Sequence, residues 1–286
     1  MKKILILLFV MMAARNVAHA QDADYGASLG FTGYQGDVAQ QDVEFGDAAG
    51  GGGLFLRYHF TPQHAIRASA NYFLITGDDT EKSEDFRRID RAVTFRNSII
   101  EFGVNYQYNI LPFSAGSKRA NAAPYVFLGI SGISHSPQGQ LYEEWYDLPD
   151  LQTEGEEYNT FSLAIPYGVG FTYSLGRNLI NIGVEFGHRF TFTDYLDDVS
   201  DTYNTNLAGE LSSPLSTEEK QRALLAVPSV TVAFPNAESV DDIPEEIIRQ
   251  AVANRAGDIR GNPDRNDAYW YLGFTVSKSI RRIFYR

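Results

Sequence analysis

From Thr160 to Leu175 the chain alternates without a break over sixteen positions. Phe161, Leu163, Ile165, Tyr167, Val169, Phe171, Tyr173 and Leu175 fall on one side, and Ser162, Ala164, Pro166, Gly168, Gly170, Thr172 and Ser174 on the other. Successive side chains of a strand point to opposite faces, so this reads as a β-strand with one apolar face and one small or polar face. Ordinary sheet strands run to about five or six residues. A strand of about ten residues or more with this pattern is what a transmembrane β-barrel requires.

The start of the chain addresses the compartment. Lys2 and Lys3 precede an apolar run from Ile4 to Ala14, and Ala18-His19-Ala20 forms a cleavage site, so residues 1–20 read as a secretory leader with the mature chain starting at Gln21. The run is too short to cross a bilayer as a helix, and no longer apolar run follows. The chain has no cysteine, which removes disulfides, thiolate metal sites and a lipidated cysteine. Without the leader, 21 basic residues face 36 acidic ones, a balance unsuited to nucleic acid, whose phosphates call for Lys and Arg patches.

Seven more segments share the pattern: 25–37, 51–60, 64–75, 100–110, 123–134, 180–192 and a stretch around Trp270–Ser277. The expectation is an all-β, eight-stranded antiparallel transmembrane β-barrel, an up-and-down meander occupying residues 21–286 as one domain. Short connections (61–63, 111–122, 176–178) alternate with long ones (38–50, 76–93, 135–159, 193–267). Outer-membrane barrels keep short turns in the periplasm and long loops outside, so both chain ends would be periplasmic after Sec export, with the barrel seated in outer-membrane lipid. The long loops are acid-rich, whereas Lys118, Arg119, Arg177, Arg281 and Arg282 crowd the short-turn side. Within 193–267, the segment Asp241–Arg255 has helical spacing, with Pro244 suited to a first turn, and is expected as one short amphipathic helix.

If the apolar set faces lipid, then Arg57, Arg67, Asn71, Glu101, Asn105, Glu185 and Arg189 face inward. Eight strands leave room only for side chains, so a plugged, salt-bridged interior is expected rather than a polar channel. The mature chain's histidines, His59, His64, His135 and His188, form no metal-spaced cluster, and no nucleophile elbow or H-E-x-x-H is present. Ser134-His135 beside the acids of the third long loop is the faintest hint of a nucleophile and base. The expectation is a non-enzymatic protein without a cofactor. Asp194, Asp197, Asp198 and Asp201 could offer oxygen ligands to calcium, but they lack EF-hand spacing and read as a solvated or capping cluster.

Several stretches carry a family resemblance. They include Thr191–Tyr203 (T-F-T-D-Y-L-D-D-V-S-D-T-Y), Arg260–Thr275 (R-G-N-P-D-R-N-D-A-Y-W-Y-L-G-F-T), Tyr34–Val38 and Leu151–Glu156. Together they resemble the PorG-like outer-membrane barrel family of Bacteroidetes, a component of the type IX secretion system, over essentially the whole mature chain. The resemblance implies a non-enzymatic part in protein export, associated with the periplasmic ring of the lipoprotein PorK and its partner PorN. Contact would use the short-turn face, with Lys118, Arg119, Arg281 and Arg282 as docking candidates. The stretch Asn204–Ile259 is longer than this family's usual loop. The alternative is a surface-loop barrel that binds an extracellular ligand or supports the envelope.

The two motifs stand at the feet of the longest loop. Asp197 or Asp198 pairing with Arg260 or Arg265 would close the loop base, with Gly261 and Pro263 shaping the turn.

Overall fold

The computed structural model describes residues 22–38, 48–79 and 90–281. The expected leader and Arg282 lie outside these residues. The strands are β1 (Asp22–Gln35), β2 (Ala49–His59), β3 (His64–Asp78), β4 (Thr94–Asn109), β5 (Ala122–Leu141), β6 (Glu144–Asp147), β7 (Phe161–Ser174), β8 (Ile180–Thr191) and β9 (Ala268–Arg281). All but β6 are barrel staves. Each pairs antiparallel with its sequence neighbour, and β1 pairs with β9 from Asp22↔Arg281 to Gln35↔Ala268, so the sheet closes and no long edge remains. The short β6 pairs only with the far end of β5, from Gln138↔Asp147 to Leu141↔Glu144.

The alternation sorts as expected across the wall. Leu29, Leu54, Phe102, Val104, Leu128, Ile130, Leu163, Val169 and Phe274 are exposed on the outside, while Arg57, Arg67, Glu101, Asn105, Glu185 and Arg189 are buried within. A closed ladder inside an apolar belt pairs the strand backbones with one another rather than with water, which is the condition for crossing a bilayer. Pro166 on β7 cannot donate to the ladder. The β5–β7 pairing is broken at that point, between Leu128↔Tyr167 and Ser131↔Ala164.

β4 and β5 extend well past the sequence pattern on the long-loop side. β4 starts at Thr94 rather than Ile100, and β5 runs to Leu141 rather than Ser134, so the third long loop begins as paired strand. The reason is an inversion of the pattern. Below this level the outside is apolar; above it Phe95, Ile99 and Ile133 are fully buried inside, whereas Thr94, Arg96, Ser98, Ser134 and Ser136 lie outside. Water replaces lipid outside the wall, and the apolar side chains turn into the lumen. With Tyr34, Phe73, Ile75, Tyr269 and Tyr271 they form an apolar plug, which Val38, Val93, Leu196 and Val199 complete from the loops.

The longest loop is also more ordered than one helix. It folds as α1 (Leu207–Glu210), α2 (Thr217–Ala226), α3 (Ser229–Ala233) and α4 (Glu245–Arg255). α4 is the expected helix; α2 was missed although Ser216 and Glu219 cap it reciprocally, each side chain bonding the other's backbone amide. Leu207, Leu224, Leu225, Ile243, Ile248 and Val252 form a separate core with Leu141 and Leu148 of the β5–β6 arm, so the helices make a lid on that arm.

If the inversion marks the edge of the lipid, a cation should be costly only below it. Val104→Arg, in the exposed belt, should lose about 2–4 kcal/mol of folding free energy, and Thr94→Arg no more than about 1 kcal/mol. Urea-titrated folding into phosphatidylcholine vesicles measures both; equal costs would misplace the boundary.

Candidate functional site

Two polar assemblies stand out, one in the lumen and one at the mouth where the four long loops meet. In the lumen three arginines face three carboxylates. Arg67 is bidentate on Glu185, with Nη2 to Oε1 at 2.8 Å, and Tyr125 donates to the same carboxylate at 2.8 Å. Glu101 accepts from Arg189 Nε at 3.4 Å, Tyr269 Oη at 2.9 Å and Asn71 Nδ2 at 2.7 Å. Near the short turns, Asp24 lies 3.0 Å from His59 Nε2 and 3.7 Å from Arg57 Nη1, and accepts from Ser279. Arg57 Nε and Nη2 have no hydrogen-bond partner among the described residues; the guanidinium packs against the rings of Phe55 and Tyr125, 5.1 and 5.8 Å from their centroids. Side chains occupy the whole section, leaving a packed core rather than a channel. Asp24 and the two tyrosines were absent from the sequence reading, although Asp24 sits in the inward register of β1 and was legible there.

At the mouth, Arg260 is the central cation. Its Nη1 reaches Glu154 Oε1 at 3.0 Å, Thr153 Oγ1 at 3.0 Å, the Asp198 carbonyl at 2.5 Å and Asp198 Oδ2 at 3.6 Å. Glu154 also accepts from the Ser200 and Asp201 amides, and Tyr158 donates to Asp198 at 2.6 Å while stacking on Tyr195 at 4.3 Å. The third and fourth long loops are thereby sewn together. A second arginine, Arg91, extends this to the first and second loops: it grips Asp79 through Nε and Nη2 and donates to the carbonyls of Asp37 and Arg260.

The loop-foot residues fall into distinct places. Asp198, held at φ 66°, a left-handed conformation that Asp tolerates better than most, pairs with Arg260. Asp197 turns instead to Tyr34, which donates to it at 2.5 Å. Gly261 lies so close to Ser200 and Asp37 that an added Cβ would come within 2.7 Å of both, so no larger residue fits without movement. Arg265 remains on the exposed surface of the Asn262–Arg265 turn. The four aspartates weighed for calcium diverge: Asp194 accepts from Ser200, Asp197 and Asp198 have the partners above, and Asp201 is exposed. Among the described residues no three His, Asp or Glu side chains gather in a metal-holding geometry.

Ser134 and His135 cannot act together, because adjacent strand residues point to opposite faces: Ser134 is outside and His135 buried within. His188 stands half-buried on the outer wall against Tyr167, with Nε2 on Gln35. Of the basic docking candidates, Lys118 and Arg119 are exposed on the 110–121 connection, and the Arg281 backbone stands opposite Asp22 in the β1–β9 ladder at the same end of the barrel.

Carboxylates outnumber cations at the mouth. Burial, with Asp37 and Glu154 adding to it, pushes Asp194 up to about 7 against the opposing Ser200 hydrogen bond. Burial raises Asp198 too, despite the Arg260 charge. Burial works against the Arg260 charge as well, but Glu154 and Asp198 outweigh it and hold that guanidinium above its ordinary value.

Removing one member of a buried ionic cluster strands the others at about 3–5 kcal/mol. Arg260→Ala should therefore expose residues 193–267 to protease while the barrel still assembles and keeps its heat-modifiable gel mobility; unchanged cleavage would contradict this. Glu185→Gln should by contrast weaken the barrel itself, by a similar amount, in a urea titration.

Several solved structures resemble the fold at low sequence identity. OprG of Pseudomonas aeruginosa is 12% identical, with 90% of this chain and 96% of that one covered and a TM-score of 0.42. The N-terminal β-barrel domain of Pseudomonas aeruginosa OprF is 8% identical over 91% and 97%, at 0.37. Neisserial surface protein A is 8% identical over 90% and 96%, also at 0.37. No curated protein matches the sequence. A family model does match, over residues 2–213, which leaves α2, α3, α4 and β9 beyond it. The chain belongs to that family, described as a domain of unknown function (DUF6089).

Proposed function

We propose that the protein is a non-enzymatic outer-membrane component of the type IX secretion system, exported by the Sec route, that anchors the periplasmic ring of PorK and PorN to the outer membrane. The observation that carries this reading is the sealed barrel. Three arginine–carboxylate pairs fill the lumen, an apolar plug lies above them, and Arg260 and Arg91 fasten the loops over the mouth. A barrel built to be solid serves as an anchor rather than a conduit. The PorG-like motifs at the loop feet supply the system, and Lys118 and Arg119, exposed beside the membrane on the short-turn face, supply a surface for the ring.

One observation favours the second reading, a surface-loop barrel with an extracellular ligand. A cleft of about 750 Å³ opens between the β5–β6 arm and the lid, lined by Tyr142, Tyr146, Glu143, Glu144, Gln221 and Asp241. Gene deletion followed by assay of secreted cargo separates the two. The secretion role requires cargo to be retained, and Lys118→Glu with Arg119→Glu to reduce export without lowering the amount of barrel. Normal secretion in a strain without a second copy would overturn it.

A further inference from the structure

Tyr34, Asp197 and Asp267 raise a question of proton counting at the mouth. The Tyr34 hydroxyl lies 2.5 Å from Asp197 Oδ2 and 2.7 Å from Asp267 Oδ1, and both carboxyls are buried. A hydroxyl has one hydrogen and can donate it to one acceptor. Two carboxylates on one hydroxyl oxygen would leave one contact with no proton, an uncompensated repulsion in a buried site. The arrangement closes only if one carboxyl is itself protonated and donates to the tyrosine oxygen while the tyrosine donates to the other.

The remaining contacts say which carboxyl holds the proton. Asp197 accepts amides on both oxygens, from Val199 at 2.9 Å and Val38 at 3.3 Å, and Arg91 acts on it electrostatically; all three favour the anion. Among the described residues Asp267 accepts one amide, from Leu196 on Oδ2 at 2.8 Å, and its Oδ1 meets the Tyr34 hydroxyl alone. The chain of donors therefore runs from the Asp267 carboxyl to Tyr34 and on to the Asp197 carboxylate.

We infer that this shared proton is a latch that clamps the first long loop and both feet of the fourth across the barrel mouth, and that its loss releases the lid. Tyr34 ends β1, Asp197 leaves β8 and Asp267 precedes β9, so three of the eight strand ends meet at one hydrogen. The groups facing it are Asp37 from the first loop, Arg91 with Asp79 from the second, Tyr158 from the third and Asp194 from the fourth. On the β4 side it meets Phe95, edge-on to Tyr34, and Asn97, which holds the Leu196 carbonyl. Burial raises both carboxyls, Asp197 with Asp37 adding and Tyr34 and Arg91 opposing, and Asp267 with the Asp197 charge adding next, so the pair retains one proton between them.

The sign follows from linkage. The closed mouth holds one proton, on the raised Asp267 carboxyl, that an open mouth releases above the ordinary carboxylate range, so closure is strongest in acid and weakens as pH rises above that range. For one proton the opening constant grows about tenfold per pH unit over that rise.

Limited proteolysis of the full chain in vesicles, with rates normalised at each pH to an unfolded reference peptide, reads this opening. It should be done in an Asp194→Asn background, which removes the other carboxyl titrating near neutrality. Cleavage within 193–206 should rise about tenfold per unit between about pH 5.5 and 7.5. Asp267→Asn supplies a permanent amide donor to Tyr34 and should make the profile flat and slow. If that variant does not assemble, as judged by gel mobility, Asp197→Asn leaves a single carboxylate on Tyr34 and should flatten the profile too. A flat profile in the Asp194→Asn background alone, or an undiminished slope in the assembled latch variant, would overturn the latch.

Discussion

An eight-stranded wall with lipid on its outside must satisfy its polar face from within, and the Arg67–Glu185 pair shows how closely that constraint is met. Two parallel hydrogen bonds and a tyrosine donor fix the carboxylate, and Phe55 and Phe127 flank the guanidinium. Charges in so narrow a space are tolerable only when each has its opposite. The other two arginines each have their own carboxylate at different depths; Arg57 shares the Phe55 ring with Arg67, and Arg189 lies over Phe73. The small inward residues of β7, such as Gly168 and Gly170, give room to these larger groups: a Cβ at either position would collide with Phe127 or Tyr125.

Above that layer the chemistry changes twice. Apolar side chains take over where the outer wall leaves the lipid, and polar loop feet close the top. Each layer solves the exposure problem of the one beneath it. The plug shields the ion pairs from water at the mouth, and the loop feet cover the plug. The stacking explains why both feet of the longest loop bear aspartates and why Arg260 and Arg91 are buried among them.

The staves were legible because lipid imposes a strict period of two on the outer face, and Thr160–Leu175 shows it plainly. The ends of β4 and β5 were not, because the same period continues there with its polarity reversed. A search for outward apolar residues stops at Ile100 and Ser134, where only the solvent outside has changed. The inward charges were legible by register, Asp24 among them, although it lies one residue before the segment 25–37 read as the first strand. The mouth was legible only in part. Arg260 and Asp198 could be matched by their places at the loop feet, but Glu154, Arg91 and Tyr34 come from other loops, and sequence distance hides such meetings. α2 was hidden for a different reason: its capping box was readable, but it lay within a stretch taken as an acidic loop.

The length of β5 has a consequence for how the molecule meets its surroundings. Twenty residues are about twice what a tilted strand needs to cross the hydrocarbon. At about 3.3 Å per residue the surplus carries the β5–β6 arm roughly 25 Å past the apolar belt. The strand acts as a mast as well as a stave. It lifts the helical lid clear of the headgroup layer, where a large molecule in the surrounding water can reach the Tyr142–Tyr146 cleft without displacing lipid.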